Sequence, residues 1–219
     1  LALFILKTEI FTKRGEVMKI LPIQGQNNIY SSNVYLILGE WKRIEDPNTL
    51  VDVGNDPSII AQIENMNTGI GKKKVEQVIL THSHSDHSGI LALIKNAFHP
   101  KIYAFSPFMD GVDHVLTHGE KLRAGDGFLE VIHTPGHSND SICLYSPDRG
   151  DLFVGDTPVI IHTMDGSYEQ NFYLALSEIC KRNIQTIYFG HGPPLIQNAQ
   201  NVLLASLDNV RKNIKPQKA

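Results

Sequence analysis

A chain of 219 residues, 42% hydrophobic and 20% charged, has room for one large domain with its own buried core. A formal net charge of −3 gives no basic footprint for nucleic acid or an anionic membrane, and no apolar run approaches the ~18 residues that cross a bilayer. The two cysteines, Cys143 and Cys180, stand beside apolar neighbours, far from any second thiol or imidazole at ligand spacing; they fit buried thiols in a reducing cytoplasm.

The opening apolar stretch, residues 1–6, is short for the core of an export signal and has no basic segment before it. Met18 reads as a natural start with a strand following at once. Residues 1–17 are therefore expected to be an extension outside the fold, and residues 18–219 a single domain. Strand-like runs cover 19–24 and 33–38, separated by a polar turn rich in Asn and Ser. Residues 39–48 form a polar hairpin region whose Trp41 is expected to pack at a sheet edge. A third strand, 49–54, ends in Asp52; an acid closing an apolar strand is either turn chemistry or the neighbour of a site.

Residues 57–66 have helical spacing, with Ile59, Ile60, Ile63 and Met66 on one face and Gly69 and Gly71 beyond the end. Lys72, Lys73 and Lys74 read as solvated surface. The apolar run 75–80 then delivers Thr81-His82-Ser83-His84-Ser85-Asp86-His87-Ser88-Gly89. Residues two apart on an extended chain point the same way, so His82 and His84 can converge on one point. A turn into a helix at Asp86 swings the next two side chains toward a second point close by. Such a strand end can serve two metal ions. A helix over 88–98 and a strand over 101–105 follow, and the alternation makes a layered α/β unit.

The stretch 108–127 is harder to read; His114 and His118 would share a face if it were helical, and are expected in surface or structural roles or in a loop edging the site. Strands return at 128–133, 141–145 and 151–155. Thr134-Pro135-Gly136-His137 is a rigid turn that lifts one imidazole off a strand end, whereas His133 is expected to pack or to orient its neighbours. Asp156 ends the next strand, residues 166–183 look helical, and the strand beginning at 186 ends in His191. An amphipathic helix over 197–214 closes the chain, with Val202, Leu203, Leu207 and Val210 inward. Tyr168 and Tyr173 are expected to pack.

Asp52, the H-x-H-x-D-H loop, His137, Asp156 and His191 together resemble, in order, the motifs of the metallo-β-lactamase superfamily, and the resemblance runs over nearly the whole chain from Met18. It implies an αββα sandwich: two mixed β-sheets face to face, with helices on the outer faces. It also implies that His82, His84 and His137 hold one metal, that Asp86, His87 and His191 hold the second, that Asp156 bridges both, and that Asp52 braces the metal loops. The implied cofactors are two divalent ions, zinc first, with iron or manganese as alternatives on an all-imidazole and carboxylate ligand set. The implied chemistry is a metal-bridged hydroxide attacking an electrophilic carbon or phosphorus, with Asp86 as the catalytic residue that orients it or relays its proton.

Departures from subfamilies narrow the substrate. Asp156 stands where a large group of true β-lactamases has Cys. His84 stands where flavodiiron proteins have Glu. Thr157-Pro158-Val159 follows the bridging acid, where lactonases carry a Tyr. Glyoxalase II shares the metal motifs but adds a basic helical domain for glutathione, for which the segment after His191 leaves little room. The expectation is a metal-dependent hydrolase of a small ester, thioester or lactone. A phosphodiesterase or ribonuclease of the same fold, or a mononuclear-iron persulfide dioxygenase, is the alternative. A small-molecule substrate is expected, nucleic acid and membrane are not, and a homo-oligomer is left open.

Overall fold

The computed structural model describes residues 18–26, 28–40, 43–162 and 167–214. The expected extension over 1–17 and the sheet-edge position of Trp41 lie outside these residues. In chain order the elements are β1 (Met18–Ile23), β2 (Val34–Gly39), β3 (Thr49–Val51), α1 (Ser58–Asn65), β4 (Gln77–Ile79), α2 (Ser85–Ser88), α3 (Leu91–Phe98), β5 (Lys101–Ala104), β6 (His114–Val115), β7 (Lys121–Ala124), β8 (Gly127–His133), β9 (Ile142–Ser146), β10 (Asp151–Gly155), α4 (Gln170–Cys180), β11 (Thr186–Phe189) and α5 (Ala199–Arg211).

Two mixed sheets result. One has the order β1-β2-β3-β4-β5-β6, antiparallel across its first three strands and parallel from β3 onward. The other has the order β11-β10-β9-β8-β7, antiparallel except for the β10–β11 pair. Side chains alternate across a strand, so one strand feeds two cores. In β2, Tyr35 and Ile37 face the opposite sheet while Val34, Leu36 and Leu38 face helices α1 and α3. In β10, Phe153 points between the sheets, and Leu152 and Val154 point toward α4 and α5. Strands buried on both faces have to read as unbroken apolar runs, as residues 34–38 and 151–155 do. The four layers, helix, sheet, sheet, helix, are the architecture expected. Each fully buried aliphatic side chain among them, such as Ile37, Ile79 or Leu144, contributes about 1.5–3 kcal/mol.

Phe153 and Tyr188 stack in the middle of the sandwich and Tyr35 stands edge-on to both, with ring centroids 4.9–5.4 Å apart. The Tyr35 hydroxyl donates to the Phe189 carbonyl at 2.7 Å, tying this aromatic cluster to the end of β11.

Two local expectations change, and the stretch that was hard to read resolves. Residues 108–127 are not helical: His114 lies in β6 and β7 follows, so His114 and His118 share no helical face. His114 pairs with Glu120 at 2.7 Å, and His118 Nδ1 accepts the backbone N–H of His133. Short strands bounded by glycines carry too few residues for either periodicity to show. The lysine run is only partly solvated, because the Lys72 side chain is 1% exposed. Its ammonium donates to the carbonyls of Arg43 and Asp46 and pairs with Glu76 at 3.4 Å. The helix expected over 88–98 is broken at Gly89 and Ile90 into α2 and α3, with Gly89 lying against Asn55.

Among the described residues, no helix is long and apolar enough to cross a membrane. Cys143 is buried among α4-facing residues, where burial pushes its thiol up to about 11, and Cys180 is free as well.

Candidate metal centre

Strands β3, β4, β8, β10 and β11 all run to the same rim of the sandwich, and each is followed by a member of one cluster. Asp52 follows β3, His82 and His84 follow β4, His137 follows β8, Asp156 follows β10 and His191 follows β11. Asp86 and His87 come from α2, the single turn into which the β4 loop folds. Parallel pairing of β3 with β4 and of β10 with β11 is what puts these ends side by side.

The cluster divides in two. His82, His84 and His137 form one group; Asp86, His87, Asp156 and His191 form the other; in each, one donor atom per residue lies within 4.8 Å of the rest. The three rings of the first group stand edge to face, with centroids 4.6–4.9 Å apart. His84 Nδ1 and His137 Nε2 face each other at 2.9 Å. Asp156 touches both groups. Its Oδ2 lies 3.7 Å from His137 Nε2, and its Oδ1 lies 3.1 Å from His87 Nε2 and 3.6 Å from His191 Nε2. Asp86 Oδ2 is 3.0 Å from His191 Nε2 and 3.8 Å from His87 Nε2. All eight residues singled out in the sequence are thus gathered at one place.

Asp52 orients one imidazole in each group. Its Oδ1 accepts the backbone N–H of Thr81 at 2.8 Å; its Oδ2 accepts the Thr81 hydroxyl at 2.8 Å and the Nδ1–H of His87 at 2.7 Å. With its proton committed to Asp52, the Thr81 oxygen accepts the Nδ1–H of His82 at 3.2 Å. Both imidazoles are thereby fixed with Nδ1 protonated and Nε2 turned into the cluster. His82 Nε2 is buried and has no hydrogen-bond partner, which is costly for a polar nitrogen unless a cation takes its lone pair. This orphaned atom, in a donor set of imidazoles and carboxylates, fits divalent metal. Thr81 was part of the motif as read, but its link between Asp52 and His82 needs the fold to be seen. Asp52 itself takes a left-handed conformation, φ +58°, which aims its carboxylate back across the end of β4.

Charge separates the two groups. Burial, helped by the positive charge of His87, brings His82 down to about 4, and burial also lowers His137. For His87, burial pushes down as well, but Asp52 on one nitrogen and Asp156 on the other outweigh it and carry the imidazolium up to about 10. Burial raises Asp156, yet the hydrogen bond and charge of His87, with His191, hold it at about 2.

Two glycines keep the centre open. A Cβ on Gly190 would lie 2.4 Å from Asp156 Oδ1 and 2.6 Å from His87 Cε1; one on Gly155, at φ +52°, would lie 2.4 Å from the Thr81 hydroxyl. A groove of about 280 Å³ opens beside the cluster, walled by Pro158, Val159 and Ile160 as well as by His137, Asp156 and His191.

Other sequence candidates take structural roles. His133 stacks on Phe105 with centroids 4.1 Å apart and contacts the Asn139 carbonyl at 2.8 Å. Tyr168 and Tyr173 pack against the α4–α5 core. The sequence reading missed Tyr30, from the polar turn before β2, whose ring stacks on His191. An aromatic in a turn gives no signal of what it faces.

The family model of the metallo-beta-lactamase superfamily matches residues 28–191. A Schizosaccharomyces pombe protein named as a probable hydroxyacylglutathione hydrolase is 35% identical over 145 residues, 64% of this chain and 54% of that protein. The atrochrysone carboxyl ACP thioesterase of Aspergillus fumigatus is 26% identical over 195 residues, 86% of this chain and 59% of its own. The chain thus spans little more than half the length of these relatives. Among solved structures, BLEG-1 B3 metallo-beta-lactamase superposes with a TM-score of 0.60 at 22% identity, covering 81% of this chain and 93% of its own, a likeness of fold.

Proposed function

Because the chain belongs to the metallo-beta-lactamase superfamily, we propose that it is a metal-dependent hydrolase of a small ester, thioester or lactone, with a thioester the favoured substrate and two zinc ions as cofactor. The observation that carries this reading is Asp156, one carboxylate oxygen turned to each of two ligand groups. The relatives support the thioester. One is by name a thioesterase and the other by name hydrolyses an acylglutathione.

His82, His84 and His137 would hold one ion, Asp86, His87 and His191 the other, and Asp156 would serve both. Bound there, a pair of divalent cations supplies an acidified water as nucleophile and a Lewis acid for the acyl oxygen. The rest falls to the chain. Asp52 keeps His82 and His87 in their ligand tautomers. Asp86 Oδ2, which faces His191 Nε2 across the second group, would share its ion, and Oδ1 would be left to orient the attacking water and take its proton. Pro158, Val159 and Ile160 give an acyl chain an apolar wall beside the cluster.

Elemental analysis joined to an activity panel tests the proposal. Two zinc ions per chain, with thioester hydrolysis well ahead of lactones and of bis-p-nitrophenyl phosphate, is the expected result. Dominant phosphodiester cleavage, or one iron per chain with oxygen consumption on a persulfide, would replace it.

A further inference from the structure

The turn between β1 and β2 is fastened to the second ligand group. The Ser32 N–H donates to the Asp86 carbonyl at 2.9 Å, the Asn33 N–H to the Gly190 carbonyl at 2.6 Å, and the Asn33 side-chain amide to the carbonyls of Phe189 and Gly192 at 3.0 and 2.8 Å. Ser31 joins the turn to the segment after Asp52, its hydroxyl accepting the Asn55 N–H at 2.8 Å. Residues 31–33 are therefore held in register with Asp86 and His191 at once.

Next to this anchor, Tyr30 is 74% exposed. An aromatic so exposed adds little to the core, yet its ring lies 5.0 Å from the His191 ring at an interplanar angle of 18°. Its hydroxyl stands 3.4 Å from His191 Nε2, the same nitrogen that faces Asp86 and Asp156. When that lone pair is given to a cation, the phenol has no acceptor in His191 and its O–H is free for whatever occupies the mouth of the site.

We infer that Tyr30 is a catalytic residue of this centre: its hydroxyl donates a hydrogen bond to the acyl oxygen of the substrate, and the bond strengthens as negative charge builds there. The identification of the acyl oxygen rests on the hydrolase reading above; the donation to a bound oxyanion does not. A neutral donor preplaced where charge develops acts on kcat more than on KM.

Tyr30→Phe keeps the stacked ring and removes only the hydroxyl, while Tyr30→Ala removes both. The zinc-loaded protein and both variants are compared by thioester turnover and, independently, by calorimetric affinity for an alkyl phosphonate, a tetrahedral anion that is not turned over. Tyr30→Phe should lower kcat roughly tenfold to a hundredfold with little change in KM, weaken the phosphonate by a similar factor, and leave zinc content and melting temperature unchanged. Tyr30→Ala should be at least as impaired. If the parent cleaves thioesters and Tyr30→Phe matches it within twofold in both measurements, the role of Tyr30 is refuted and the hydrolase stands. If the parent cleaves no thioester while phosphonate affinity still depends on the hydroxyl, the hydrolase reading falls and the oxyanion donor stands. A parent that binds no phosphonate overturns the donor.

Discussion

The two groups that could each hold a metal ion lie within one cluster and are built on opposite principles. The first is three imidazoles and no acid of its own, with His82 buried and His84 and His137 exposed. The second has two carboxylates around His87, whose side chain is fully buried. Burial leaves the lone pairs of His82 and His137 little contested by protons, while Asp52 and Asp156 hold a proton on the histidine between them. Readiness and attraction are thus divided between the two halves, and Asp52 and Asp156 are the residues that join them.

Removing the shared acid should erase the distinction. Asp156→Ala takes an oxygen from each group, so binding of both ions should weaken and turnover should fall by about 10³-fold or more, read by elemental analysis and steady-state rates. A variant that keeps two ions and more than a tenth of the activity would show that the acid does not bridge.

Disturbing the shared brace should injure both halves more mildly. Asn tolerates the left-handed backbone of residue 52, but its amide cannot accept on both sides. Asp52→Asn should weaken each ion by roughly 10–100-fold and reduce activity in step. Loss confined to the second equivalent in a metal titration would mean that the Thr81 relay to His82 is dispensable.

Protons should tell the halves apart. His87 must lose its proton to become a ligand, and near pH 7 that proton is firmly held, since the group titrates only around 10. The second equivalent should release about one proton and tighten about tenfold per pH unit between 7 and 9. The first, with His82 at about 4 and His137 lowered, should vary little over that range. Calorimetry in buffers of different ionisation enthalpy separates them. In the metal-free protein the sign follows the raised value: the stability that protonated His87 contributes is complete below its ordinary pKa near 6.5 and drains away as pH rises toward 10. A metal-free melting temperature that climbed over that interval would contradict it.

The smallest effect expected is the most selective. Thr81→Val leaves Asp52 on His87 but strips the acceptor from His82 Nδ1, so the first equivalent should weaken several-fold while the second is nearly unchanged.

Much of this centre was legible before any coordinates. An apolar strand ending in an acid or imidazole announces itself because the contrast is local, and four such ends together with one H-x-H-x-D-H loop leave few other arrangements. What depends on distant contacts was not legible. The left-handed turn at Asp52 and the relay through Thr81 exist only once β3 and β4 lie side by side. Lys72 looked like solvated surface because nothing in Lys72-Lys73-Lys74 says that the carbonyls of residues 43 and 46 wait for it. The stretch holding His114 and His118 had no assignable period, because spacing alone cannot separate a helix from two short strands. Tyr30 was silent for the same reason as Lys72: its meaning lies in the neighbour, His191, more than a hundred residues away.

The order in which the strands reach the rim sets a timetable. During synthesis the chain emerges N-terminus first, so β8 and the His137 turn are available while β11 is still unmade. Asp156 comes next and His191 last. A nascent chain therefore holds every imidazole of the first group before the last residue of the second has been made.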